Sequence, residues 1–248
     1  MSNPVMLHEA GETREAVVPF EPKHYGNLYG MSGFSEGLLA THFQIYEGHV
    51  ANTNSLLEEI AVLTKEDRNP VASDGEARRR FGWEFNGMRL HEYYFENLGG
   101  DGSLNEESSL HRRLCGQFGR LESWKEDFAS VAALRGVGWA VLYEDVRTGR
   151  LFDVWVDEHN VNLLAGGRPL VLLDAFEHAY MKDYGLDRKR YIHAFFANLN
   201  WDAVLARSGG KESNGFSNGN GRVMEPGAGP GSGHGLRHSW SHNGLVNR

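Results

Sequence analysis

One cysteine, Cys115, stands among 248 residues, so no disulfide can form within the chain and no cysteine cluster can hold a metal. A lone thiol fits a reducing compartment, and the cytoplasm is the expected location. No apolar run approaches the roughly 18 residues of a membrane span, and the first twenty residues hold no apolar core behind a basic flank. No membrane partner is expected. Positive charge is also scarce, with 25 Lys and Arg against 33 Asp and Glu for a net charge of -8. Neutralising phosphates takes clustered cations, so nucleic acid is excluded as a general partner. A small anionic substrate is not excluded, because a local basic patch can override the net charge. What is present is globular: 40% hydrophobic and 11% aromatic residues, in a chain long enough for one large or two small domains.

The stretch 170–184, LVLLDAFEHAYMKDY, organises the rest. Its apolar run at 170–173 reads as a strand that delivers Asp174, and His178 follows four residues later at the start of a helix. That spacing puts both side chains on one helical face. A carboxylate oxygen and a neutral imidazole nitrogen so placed can bind one first-row metal ion, each donor at about 2.0–2.2 Å. Two more histidines lie upstream. Leu38, Leu39, His42, Ile45, Tyr46, His49, Val50, Thr53, Leu57 and Ile60 recur at threes and fours, which predicts a long amphipathic helix with His42 on its apolar stripe. Residues 67–74 read as a turn. A second helix over about 76–98 follows, its inner stripe Phe81, Phe85, Met88, His91, Phe95 and Leu98, stopped by Gly99 and Gly100. Each histidine reads either as a hydrogen-bonded core residue or as a third and fourth metal donor.

Short helices are expected at 106–118 and 123–133, strands at 138–144 and 151–157 joined by a turn at 147–149, and one closing helix over 188–206. The fold class is α+β: an antiparallel long-helix hairpin, then a mixed domain with a small three-stranded antiparallel sheet and helices. The expected domains are an extended arm at 1–33, the helical hairpin at 34–100, an α/β metal-binding domain at 101–207, and a disordered tail at 208–248. The tail carries eleven glycines in 41 residues. His234, His238 and His242 recur at fours within it, but the glycines between them argue against a helix that could present them together.

DAFEHAYMKDY followed by YIHAFFANLNWDAV, with RGVGWAVL and LHEYYFENL upstream in the same order, resembles the iron/manganese superoxide dismutases over about residues 34–207. The resemblance implies one iron or manganese ion held by His42, His91, Asp174 and His178, with solvent in a fifth position and superoxide as substrate. It implies catalytic roles for His159, Tyr46, Phe176 and Trp139, and a homodimer built through Glu177 and His178. Arg188 aligns with an arginine near the substrate funnel. Trp124 is expected only to pack.

Several positions depart from the family's usual pattern. Gly87 stands where a glutamine side chain often reaches the metal-bound solvent, and His159, in the segment EHN at 158–160, takes the place of the alternative glutamine. An imidazole there titrates near neutral pH in its ordinary state. Phe176 replaces a wall tryptophan, and Tyr46 and Met181 replace the two partners of a bond across the dimer. At the substrate gate an ungapped reading gives Val50 for the usual tyrosine, while a shift of one residue gives His49. These changes support a competing expectation, a noncatalytic superoxide-dismutase-like structural or interaction protein. The intact ligand set argues against it.

Overall fold

The structure is a computed structural model that describes residues 18–65 and 72–208. The expectations for residues 1–17, for most of the 67–74 turn and for the tail from 209 onward lie outside the described residues. Helices α1 (Glu36–Lys65) and α2 (Ala72–Glu96) form an antiparallel pair. Leu38, Leu39, His42, Tyr46, Val50 and Thr53 on α1 and Met88, His91 and Phe95 on α2 are buried, as the stripes require. The segment before α1 is clasped to it: Phe20 N donates to Asn54 Oδ1 (2.8 Å) and Asn54 Nδ2 donates to the Phe20 carbonyl (2.9 Å). Leu28, in a single 3₁₀ turn at Gly26–Leu28, is 1% exposed and belongs to the core.

Helices α3 (Ser109–Phe118) and α4 (Leu121–Ala132) lead into strands β1 (Gly138–Asp145), β2 (Leu151–Asp157) and β3 (Gly167–Asp174). Ser108 caps α3 through a bond from His111 N (3.1 Å), so the helix begins three residues later than the pattern alone suggests. The sheet is antiparallel in the order β2-β1-β3. Its central strand β1 is buried on both faces, which is why GWAVLY shows no alternation. Strand β3 begins earlier than the apolar run. Pro169, which cannot donate to a ladder, is accommodated because β3 is an edge strand and pairs there beyond an irregularity between Leu142 and Tyr143. A Cβ on Gly138 would lie 2.1 Å from the Val156 carbonyl oxygen, so this start of β1 admits only glycine.

Two expectations are corrected. The single closing helix is two, α6 (Arg188–Ala197) and α7 (Trp201–Arg207), after the short α5 (Met181–Tyr184). Between them Asn198 and Asn200 hand their carbonyl and amide to Gly100 (3.0 Å) and Asn97 (2.7 Å), and the Asn200 side chain starts the next helix by accepting from Ala203 N (3.3 Å). Asp174 and His178 do not share a helix: Asp174 ends β3, and His178 sits in a 3₁₀ turn, Glu177–Ala179. The turn itself brings them together, with Asp174 Oδ1 accepting from Phe176 N at 2.8 Å. None of the described helices is long and apolar enough to cross a membrane.

Candidate metal centre

Three histidines from separate elements converge on Asp174. His42 comes from α1, His91 from α2, Asp174 from the end of β3 and His178 from the turn after it. Their Nε2 atoms lie 3.0, 3.6 and 3.1 Å from Asp174 Oδ2, in the order His42, His91, His178. One donor atom from each residue falls within 4.8 Å of all the others. Donors held at about 2.1 Å around one ion stand roughly 3–4 Å apart, so the set has the spacing of a single mononuclear site.

Hydrogen bonds from neighbouring side chains and backbone hold this arrangement in place. The Tyr191 hydroxyl donates to the Asp174 backbone carbonyl (2.7 Å), and Asn97 bridges the end of α2 to the Leu172 amide (3.3 Å) and the Leu170 carbonyl (3.4 Å) of β3. The His91 Nδ1–H donates to the Gly87 carbonyl at 2.6 Å, which fixes the tautomer and leaves the lone pair on Nε2. That Nε2 is buried and has no hydrogen-bond partner. An unsatisfied buried polar atom costs about 1–3 kcal/mol, and a metal ligand is the role that explains it. Three borderline imidazoles and one hard carboxylate form a donor set suited to iron or manganese.

Charge follows the same geometry. Burial alone would push the Asp174 carboxyl up, but His178 and His42 outweigh it and hold the group well below the usual carboxylate range. Burial lowers His42 and, with His42 beside it, lowers His91 further, so both are neutral and able to ligate. Burial also opposes the charge of His178, yet Asp174 prevails and raises it.

His159 lies beside the cluster, 2% exposed, its ring stacked on Phe176 (4.9 Å between centroids). Trp139 Nε1–H donates to His159 Nδ1 (3.1 Å), which places the imidazole's own proton on Nε2. Burial, then the proximity of His49, pushes His159 down to about 4, so the expectation of titration near neutrality is corrected: the ring is neutral there. Trp139 stands edge-on to His91 (5.0 Å), and Phe176 stacks on His178 (5.3 Å). Tyr46 reaches the cluster only through intermediates. Its hydroxyl donates to Glu92 (3.2 Å) and accepts from Lys23 N (2.9 Å), and its ring packs on Phe95, which lies against His42. The Arg188 guanidinium donates to the carbonyls of Leu134 (2.5 Å), Ala175 (2.9 Å) and Gly136 (3.3 Å), clamping one loop to the ligand turn. Trp124 is fully buried.

A pair also sits here of which the sequence singled out only His49, as one of two gate candidates, and not Glu84. The His49 Nδ1–H donates to Glu84 Oε2 (2.7 Å), and the His49 ring lies 5.2 Å from that of His91 and 4.9 Å from that of His159. Spacing could have found it. His49 follows His42 by seven residues and Glu84 precedes His91 by seven, so in an antiparallel pair the two residues meet two turns along the same seam.

The fold and the site define a mononuclear metalloprotein of the three-histidine, one-aspartate type, built on a helix pair and a three-stranded sheet. The C-terminal-domain model of the iron/manganese superoxide dismutases matches residues 106–207. The superoxide dismutase [Fe] of Aquifex pyrophilus is 35% identical over 192 residues, covering 75% of this chain and 90% of that protein. The superoxide dismutase [Mn] 2 of Haloferax volcanii is 33% identical over 174 residues, covering 70% and 86%, and the superoxide dismutase [Fe] of Saccharolobus solfataricus is 33% identical over 175, covering 68% and 83%. The chain belongs to the iron/manganese superoxide dismutase family. Iron and manganese forms match alike, as befits a donor set that serves both metals.

Proposed function

We propose that this chain disproportionates superoxide, two molecules with two protons giving dioxygen and hydrogen peroxide, at one iron or manganese ion held by His42, His91, Asp174 and His178. The observation that carries the reading is the buried, partnerless Nε2 of His91, aimed at the same carboxylate oxygen as two other imidazoles. The ion, when bound, supplies a one-electron couple that accepts an electron from one superoxide and returns it to a second.

The chain's own residues supply the rest. His159, neutral and oriented by Trp139, offers its Nε2–H as a hydrogen-bond donor beside the centre. Phe176 and Trp139 wall it with apolar surface and exclude bulk water. Tyr46 acts at one remove, holding Glu92 next to His91 in the chain and bracing Phe95 against His42. A homodimer through Glu177 and His178 is part of the proposal: Glu177 is exposed, and His178, at 19% side-chain exposure, is the one ligand of the four that reaches the surface. The lone Cys115 suits a reducing cytoplasm.

The test is superoxide decay measured on protein reconstituted separately with iron and with manganese, beside metal analysis. The expected result is accelerated decay with at least one metal, and loss of both metal and activity in His91→Ala. Full metal occupancy with no acceleration by either ion would instead support the noncatalytic reading.

A further inference from the structure

Helices α4 and α6 lie side by side without closing on each other, and a trough of about 680 Å³ runs between them. Arg188, at the start of α6, donates to the Leu134 and Gly136 carbonyls just past the end of α4. At the opposite end Trp124 of α4 packs on Phe196 of α6, with 6.0 Å between ring centroids, so the two helices run antiparallel. The gap exists because the facing side chains are short. Lys125, Ala129 and Ala133 recur at fours and share one face of the α4 segment, and two of the three are alanine. On α6, Lys189, Ile192, His193 and Phe196 share a face at threes and fours. Phe196 is half-buried and forms the floor, its ring also packed on Phe128 (5.8 Å).

Both ends of the trough are bounded. The Arg188 bonds tie one, and the loop at Gly102 covers the other so closely that a Cβ there would lie 2.5 Å from the Phe196 carbonyl oxygen. From Lys125 to Ala133 is roughly 12 Å of helix, a length that suits a short molecule and not a peptide running through. Charge is divided along it. Lys189 and His193, four residues apart, set an ammonium and an imidazole on one side at the Ala133 end. Lys125 stands at the other end with two carboxylates, Glu126 and Asp101. Among the described residues neither Lys125 nor Lys189 takes part in an ion pair, whereas Asp101 already accepts from Ser103 N (2.9 Å).

We propose that this trough binds a small amphiphile with a single anionic head, a medium-chain carboxylate being the simplest example. The carboxylate accepts from Lys189 and His193, and the chain lies over Ala129 and Phe196 with its tail toward Gly102. An apolar recess of a few hundred cubic ångströms with a few polar groups gathered at one end is the usual form of a small-molecule site. The head is anionic because the two carboxylates that border the trough lie at the far end, where a buried tail keeps its distance from them. Nothing in the proposal depends on the metal centre.

The experiment is calorimetric titration of the full chain with decanoate, decanol and decylammonium, three ligands with one chain and different heads. Decanoate is expected to bind one per chain, about threefold to fivefold more tightly than decanol, which is the span of an exposed ion pair, and decylammonium more weakly than either. Lys189→Gln combined with His193→Gln should bring decanoate down to the decanol affinity and leave decanol unchanged. Ala129→Phe fills the trough and should abolish all binding. Ala133→Phe fills it from the same wall should the first variant fail to fold, as judged by thermal unfolding. Decanol or decylammonium binding as tightly as decanoate would overturn the anionic head, and folded, filled variants that bind decanoate like wild type would overturn the site. No decanoate binding, with self-association in sedimentation that the filled variants lose, would make the trough a contact between copies and refute the proposal.

Discussion

Asp153 on β2 is a carboxyl group in a place that favours its proton. Trp124 Nε1–H donates to its Oδ1 (3.2 Å), while Oδ2 is buried without a hydrogen-bond partner. Burial first, and then the neighbouring Asp127, pushes the group up to about 8. The sign of the consequence follows. The unfolded chain releases this proton near the ordinary carboxylate value and the folded chain keeps it, so the stabilising contribution is complete below about pH 4 and is lost as pH rises through about 8. Asp153→Asn keeps an acceptor for Trp124 and cannot ionise. It is expected to raise stability at pH 8 by about 1–3 kcal/mol and to change little at pH 4, as measured by urea denaturation at the two pH values. Wild-type-like stability at both would refute the argument. The same physics, with the opposite sign, keeps His159 neutral. Neither shift was legible from residue type, because each arises from burial by segments distant in the chain.

Among the elements, the junction of α6 and α7 shows where local pattern ends and tertiary contact begins. The apolar spacing from Tyr191 to Val204 runs through the break, so periodicity alone joins the two helices. The backbone of Gly100 approaches so closely that a Cβ there would lie 2.5 Å from Asn200 Cα, and the chain turns aside to make room. Asn200→Ala, which removes the cap on Ala203 N, should cost about 1 kcal/mol by thermal or denaturant unfolding; no loss would show that the cap is idle. The ligand turn after β3 teaches a related lesson. A spacing of four does bring Asp174 and His178 together, but through an Asx-type turn and a single 3₁₀ turn in place of an α-helix. The long helices were easier to read, since thirty and twenty-five residues of stripe outweigh any one contact. Even there the seven-residue step that pairs His49 with Glu84 acquired meaning only once the two helices were antiparallel neighbours.

For the whole molecule, metal binding and assembly should both show in stability. A site whose donors come from α1, α2 and the end of β3 exists only in the folded chain, so loading it stabilises the fold by mass action, about 4 kcal/mol at a thousandfold excess over Kd. Calorimetry should show a higher Tm for iron- or manganese-loaded protein than for the metal-free form, and His91→Ala should erase the difference. A second expectation concerns the proposed dimer. Met181 at 46% and Leu186 at 91% exposure lie close in sequence to Glu177, leaving apolar surface near the proposed contact. Sedimentation should give a dimer that Glu177→Ala weakens. A monomer at every concentration would remove Glu177 from any interface.

By itself the sequence determined the helix pair, the three strands and the pairing of Asp174 with His178, because each rests on short-range periodicity or spacing, while His42 and His91 became donors only through the resemblance to the family. It also made room for His49 by placing glycine at position 87, though nothing local says what fills that room. Only the tertiary structure decided that three Nε2 atoms face one carboxylate oxygen, that Trp139 sets the tautomer of His159, and that Glu84 holds His49 over the ligands. These depend on side chains tens of residues apart meeting in a dry interior, where hydrogen-bond direction and proton affinity are set by neighbours that chain order does not reveal.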